Sequence, residues 1–312
     1  MNLFYKIALC LSRGRLSMDS SSLKYKISMK ISGLFIKTAV FCMPFFYRVT
    51  NGRKFSFSSD SDVEAPVLSL TSYPARIPYV WVTISSLLRQ TVRPKCIVLW
   101  LSREQFPGER CDLPQSLLSL EKDGFIIRFV DGDIRSHKKY YYAFKEYPDC
   151  NVIVVDDDVI YPSDTVEQLM LLHKRHPGTV CCLIGHEITH DENKNALPYL
   201  SWKANPYGEI KGQSICPIGL GGVLYPTHCY AEEIFEKHVF TDICKFADDL
   251  WLKLMCHKKG TLAVKATYRI SGFPVKGSQE TSLFSINGQE NDLNTVQWRS
   301  VTDKYNIIYK GE

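Results

Sequence analysis

The sequence predicts an α/β domain on a mostly parallel central sheet, and three observations carry that expectation. From Pro66 onward, short apolar runs alternate with amphipathic stretches at the spacing of strands and crossover helices. One of the apolar runs, Val152-Ile-Val-Val155, ends in three consecutive aspartates, Asp156, Asp157 and Asp158. The 312-residue chain is also 45% hydrophobic, enough core for one large domain or two ordinary ones. Charged residues at 23%, 18 glycines, 15 prolines and a mean hydropathy of -0.13 exclude collagen-like, low-complexity and polytopic membrane classes.

The elements follow in chain order. Leu3, Phe4, Ile7 and Leu11 share one helical face, with Lys6, Arg13 and Arg15 beside it. A second apolar stretch, Gly33 to Tyr47, is interrupted by Lys37 and Pro44 and falls short of a spanning helix. Residues 1 to 58 hold ten Lys or Arg against one acid, Asp19, a net +9, while the remainder carries 28 basic against 32 acidic residues. Positive charge confined to one end argues against a nucleic-acid-binding body and for a tail that meets an anionic surface. Residues 1 to 50 are therefore expected on an anionic membrane face, with packing of Phe35, Phe41, Phe45 and Phe46 on protein as the alternative. Ser56 to Asp62 reads as a linker, and removal of residues 1 to 50 is expected to leave a folded body.

Within that body Val67 to Leu70 is expected as a strand, Val80 to Leu88 as a helix, Cys96 to Leu101 as a strand and Leu113 to Leu120 as a helix. Phe125 to Val130 follows as a strand, His137 to Lys145 as a helix, Val152 to Val155 as a strand, Thr165 to His173 as a helix and Val180 to Ile184 as a strand. Parallel strands of this order place a ligand beyond their carboxyl ends. The eleven cysteines contain no C-x-x-C pair, so neither a zinc site nor a disulfide framework is indicated, and a reducing compartment fits.

Three adjacent carboxylates at the end of a buried strand repel one another unless a cation compensates them. Along an extended strand Asp156 and Asp158 fall on one side and can share an ion while Asp157 turns away, and such hard oxygens suit Mg²⁺ or Mn²⁺. A polar turn capping the helix near Ser163 is the alternative, which the preceding strand disfavours.

On these residues the body, from about Val67 to Val264, resembles glycosyltransferases of the GT-A fold, a Rossmann-like nucleotide-sugar-binding architecture, most nearly the family 2 group of bacterial polysaccharide synthesis. The resemblance implies a GT-A domain over residues 59 to 312 and a D-x-D at Asp156, Asp157 and Asp158. That motif would hold the metal on a donor diphosphate through Asp156 and Asp158. It further implies that the first strand and its loop, Ser69 to Ile77, hold the nucleoside, making Thr71, Ser72, Tyr73 and Arg76 donor-site candidates. The Tyr-Pro-Ala-Arg continuation departs from the commonest family 2 pattern.

A second acidic pair, Asp248 and Asp249, opens the helix Phe246 to Met255. The pair could merely cap that helix. The resemblance instead implies the base of an inverting transferase, with Asp249 first and Asp248 in reserve. Arg135 and Lys139, just before the aspartate strand, are candidates to neutralise a departing diphosphate. The run Ile218 to Pro226 is glycine-rich without dinucleotide spacing, so Gly221 and Gly222 are read as close backbone approach to a sugar, with Trp202 and Tyr225 as possible stacking faces.

The expected function is metal-dependent, inverting transfer of a sugar from a nucleotide-diphospho-sugar to a glycan or lipid-linked acceptor at the cytoplasmic membrane face. The rivals are a nucleotidyltransferase, for which no Gly-rich triphosphate signature stands near the first strand, a glycoside hydrolase, and a non-catalytic partner protein that keeps the fold.

Overall fold

The computed structural model describes residues 2–15, 17–51, 57, 64–122, 124–267, 269–278 and 292–307. Most of the expected linker, Ser56 to Asp62, lies outside them, Phe57 excepted. Two helices, α1 (Asn2–Arg15) and α2 (Leu23–Thr50), come first and pack on each other. Ser22 caps α2, its hydroxyl accepting the Tyr25 N–H at 3.2 Å. The helix runs unbroken through Lys37 and Pro44 and is long and apolar enough to cross a membrane by length and composition, which corrects the expectation that this stretch falls short of a spanning helix. The inner face of α1 is Tyr5, Ala8 and Ser12 rather than the Leu3 side, for Leu3 is exposed.

The alternating body is as expected. Its strands are β1 (Val67–Thr71), β2 (Cys96–Ser102), β3 (Phe125–Val130), β4 (Val152–Val154), β5 (Val159–Ile160) and β6 (Val180–Cys182). Further strands are β7 (Gly185–Glu187), β8 (Lys203–Ala204), β9 (Ile210–Gly212), β10 (Ile215–Pro217), β11 (Val223–Tyr225), β12 (Ala263–Lys265) and β13 (Phe273–Pro274). The helices of the body are α3 (Ile77–Leu87), α4 (Gln115–Leu118), α5 (Lys138–Glu146), α6 (Thr165–Arg175), α7 (Lys237–Ile243), α8 (Asp248–Lys258) and α9 (Leu293–Lys304). The helix expected over Leu113 to Leu120 shrinks to the four residues of α4, because Pro114 sets its start.

An eight-stranded sheet forms the centre, in the order β3-β2-β1-β4-β11-β6-β12-β9, parallel apart from β11 and β9. This is a Rossmann-like α/β arrangement. Side chains alternate across it as the pleat requires. Leu68, Leu70, Ile97, Leu99 and Ile153 join one core, shared with α3, α6 and the N-terminal helices. Val67, Val98, Trp100, Val152 and Val154 join the other, shared with α5 and α8. Both faces are covered, which is why the strands read as continuous apolar runs. A small sheet, β10-β7-β8, and the pair β13-β5 complete the fold.

The N-terminal helices are part of this core. Tyr5, Ala8, Ala39, Met43 and Tyr47 are buried in the same cluster as Leu68 and Val80. The Tyr5 hydroxyl donates to the Ile270 carbonyl at 2.8 Å, Asn51 Nδ2 donates to Ser85 Oγ at 2.9 Å, and the Arg89 guanidinium lies 4.7 Å from the centre of the Tyr47 ring.

Candidate functional site

The strand order runs outward from β1 to β2 and β3, then returns to place β4 on the other side of β1. At such a reversal the loops leaving two adjacent parallel strands diverge and open a crevice at their carboxyl ends. Here those loops are Ser72 to Arg76, after β1, and Asp156 to Asp158, after β4. The antiparallel β11 begins opposite the end of β4, Val223 beside Val154, so the Gly219–Gly221 turn arrives at the same place. The N-terminus of α8 brings Asp248 and Asp249.

β4 ends at Val154, and Asp157 and Asp158 lie in a turn. The strand alternation expected to pair Asp156 with Asp158 therefore does not apply. Arg76 holds the latter two acids instead, Nη1 on Asp157 Oδ1 at 2.6 Å and Nη2 on Asp158 Oδ2 at 3.0 Å. The Ser72 hydroxyl donates to Asp157 Oδ2 at 2.5 Å, and the Thr83 hydroxyl donates to the Asp157 carbonyl at 2.8 Å. Burial pushes the Asp157 carboxyl up, with Arg76 and Ser72 opposing, while for Arg76 burial is outweighed by the two carboxylates and its charge is fixed. Asp157 is thus the residue that locks the two loops together.

Asp156 turns the other way. Lys139 Nζ lies 2.7 Å from Asp156 Oδ1 and 2.9 Å from Asp248 Oδ2. The backbone of Lys139 is tied down as well, since its carbonyl accepts from Ser69 Oγ of β1, which itself accepts from Trp100 Nε1 at 2.9 Å. Burial works against the Lys139 ammonium, but Asp156 and Asp248 prevail and keep it charged. Asp248 is buried too, and Lys139 holds its carboxyl below the ordinary value. The charge compensation that the sequence required for the acidic run thus comes from Arg76 and Lys139.

Asp249 differs from its neighbour. Both its carboxylate oxygens accept the Gly219 N–H at 3.2 Å. Burial, and then the negative charge of Asp248, push its pKa to about 8. A Cβ built on Gly219 would stand 3.0 Å from Lys139 Nζ, 3.1 Å from Asp156 Oδ1 and 3.3 Å from Asp249 Oδ1. Gly219 is therefore the glycine that opens the site, and sequence reading missed it. The glycine-rich run marked the place without marking the residue.

Several expected residues lie elsewhere. Gly221 packs where a Cβ would meet Ile184 at 2.4 Å, and Gly222 takes a positive φ of 86°, so both serve the chain path rather than a sugar surface. Trp202 is buried, donates its indole N–H to the Leu197 carbonyl at 2.9 Å and packs edge-on to Trp298, which makes it core, as is Tyr225. The Arg135 side chain is half exposed and pairs with Asp133 at 3.4 Å. Thr71 donates to the Trp100 carbonyl at 2.8 Å, and the Tyr73 ring lies beneath the Arg76 guanidinium at 5.6 Å. His137, passed over in the sequence, is fully buried between the Tyr140 hydroxyl at 2.9 Å and the Cys244 carbonyl at 2.8 Å. Burial lowers its pKa to about 4, so it stays neutral beside Asp248.

Among the described residues no three His, Cys, Asp or Glu side chains converge in a cation-binding group, because Asp156 and Asp158 are turned onto different cations. The donor chemistry nonetheless fits a hard cation. Asp156 is partly exposed beside the gap that Gly219 leaves open.

No family model matches the chain, and no curated protein matches it. Among solved structures, that of 4-diphosphocytidyl-2C-methyl-D-erythritol synthase is similar over 67% of this chain and 94% of its own, at 10% sequence identity and a TM-score of 0.38. The functional reading rests on the side chains themselves.

Proposed function

We propose that the protein is an inverting glycosyltransferase that moves a sugar from a nucleoside-diphospho-sugar to a hydroxyl of a glycan or lipid-linked acceptor. The observation that carries this reading is the cluster of Lys139, Asp156, Asp248 and Asp249 around Gly219, set where the strand order reverses. Within it one carboxyl, Asp249, has its pKa near working pH, as a general base needs. The other, Asp248, is held ionised by Lys139 and cannot move freely.

In this reading Asp249 takes the proton of the acceptor hydroxyl as the anomeric carbon gains oxocarbenium character, and attack opposite the leaving diphosphate inverts that centre. The Gly219 N–H orients the carboxylate. Lys139 places a fixed positive charge where negative charge develops on the leaving group, and Asp157, held by both Arg76 and Ser72, ties the loop after β1 to the acidic turn. Asp156, the acid of the run that is partly exposed beside the Gly219 gap, is the residue that would hold Mg²⁺ or Mn²⁺, whereas Asp158 is committed to Arg76. When bound, the ion would neutralise the donor diphosphate.

The test is a thermal-shift screen of nucleoside-diphospho-sugars with and without Mn²⁺, followed by product analysis. A donor at about 100 times its dissociation constant adds about 2.7 kcal/mol to stability. Stabilisation that needs both Mn²⁺ and donor, with release of nucleoside diphosphate, is expected. Pyrophosphate released from a nucleoside triphosphate and a sugar phosphate would identify nucleotidyl transfer instead, and no shift with any donor would overturn the donor site.

A further inference from the structure

The hairpin of α1 and α2 carries a feature that the transfer chemistry does not use. At helical spacing, Ser28, Ser32, Ala39, Met43 and Tyr47 of α2 are buried against α1 and the body. Directly opposite, Leu23, Ile27, Leu34, Phe41, Phe45 and Val49 form a stripe along the whole helix, about 42 Å at 1.5 Å per residue. Phe41 is 74% exposed, Phe45 73%, Leu23 72%, Val49 69% and Leu34 66%. Isolated exposed apolar residues need no explanation, but a continuous stripe of large ones does.

Charge identifies what covers it. Lys26, Lys30, Lys37 and Arg48, all exposed, run along one flank of the stripe at helical repeats, with Lys24 on the other side and no acid anywhere in α2. Aliphatic and aromatic side chains bordered by lysines match a bilayer interface, where apolar groups enter the acyl boundary and ammonium groups meet anionic headgroups. We propose that α2 lies flat on an anionic lipid bilayer and docks the protein there.

By length and composition α2 would also suffice to cross a membrane. Its inner face argues against that orientation, because it is packed along much of its length and fastened at its end through Asn51 to Ser85 and through Arg89 to Thr50. Lys37 also falls at its midpoint, where hydrocarbon receives an ammonium poorly. β13 packs on α2, and the adjoining Val275 N–H donates to the Asp158 carbonyl at 2.8 Å. The inference does not depend on which group the site transfers.

Flotation of the full chain with vesicles tests it. Vesicles of phosphatidylglycerol mixed with phosphatidylcholine should carry the protein upward, and phosphatidylcholine alone should do so weakly. Phe41→Ser with Phe45→Ser should abolish flotation, and Lys30→Gln with Lys37→Gln should weaken it about fivefold per charge. Added salt should weaken it as well. The four side chains are exposed, so melting temperature should stay unchanged and serves as the folding control. Absence of flotation with anionic vesicles at low salt, or flotation unaffected by the phenylalanine pair, overturns the proposal. A doubled mass by light scattering without flotation assigns the stripe to a second copy and overturns it too.

Discussion

Two carboxylates side by side in sequence, Asp248 and Asp249, are driven in opposite directions by neighbours a few ångströms apart. Asp248 has the Lys139 ammonium; Asp249 has burial, the charge of Asp248 and a single backbone N–H. The folded pKa of Asp249, about 8, exceeds its ordinary 3.8, so between those values the native state keeps a proton that the unfolded chain has released. The stability that this group lends is therefore full at low pH and declines as pH rises to about 8. Asp249→Asn should thus raise the melting temperature relative to the parent at pH 9 and change it little at pH 4. In the proposed mechanism the same variant should lower kcat by about 10² to 10⁴. A variant with normal turnover would remove Asp249 from the chemistry. Gly219→Ala is the complementary probe. Its Cβ would crowd side-chain ends rather than backbone, so unfolding free energy should change by less than about 1 kcal/mol. Turnover should nonetheless fall on the order of tenfold to a hundredfold through displacement of Lys139, Asp156 and Asp249, measured as initial rate against melting temperature.

At the scale of elements, what the sequence disclosed was what local pattern encodes. Strands β1 to β4 and β6 were legible because both their faces are apolar, and the start of α8 was legible because acids favour a first helical turn. Partner choice was not. That Arg76 would take Asp157 and Asp158 while Lys139 took Asp156 depends on where β4 stops, and one residue more of extended strand would have changed which acids face together. β11 was hidden because it is three residues long and follows a run of glycines. Lys37 and Pro44 interrupt the apolar stretch in sequence, yet α2 runs through both, because the cost of an internal proline is local, whereas the packing of Ala39, Met43 and Tyr47 on the body is not. That packing changes the expectation for the N-terminal segment, which reads as separable in sequence and as core in structure. Tyr47→Ala should reduce unfolding free energy by about 3 to 5 kcal/mol, measured by denaturant titration. A loss under about 1 kcal/mol would show the hairpin to be a detachable appendage after all.

For the whole molecule, the strand order brings segments distant in sequence to one end of the sheet. The loop after β1, the turn after β4, the Gly219 turn and the start of α8 come together there. No local signal states that convergence, yet the alternation of strands and helices implies it once the reversal between β1 and β4 is known. The contact between Tyr5 and Ile270 carries the same logic into the time domain. The partners are 265 residues apart, so at about 5 to 20 residues per second a ribosome needs roughly 15 to 50 s between making the first and making the second. For that interval the inner face of the hairpin has none of its late-made partners. Nascent chains should therefore bind a general chaperone such as a hydrophobic-segment holdase until Phe273 and Val275 have left the ribosome and can complete the core around the first helices.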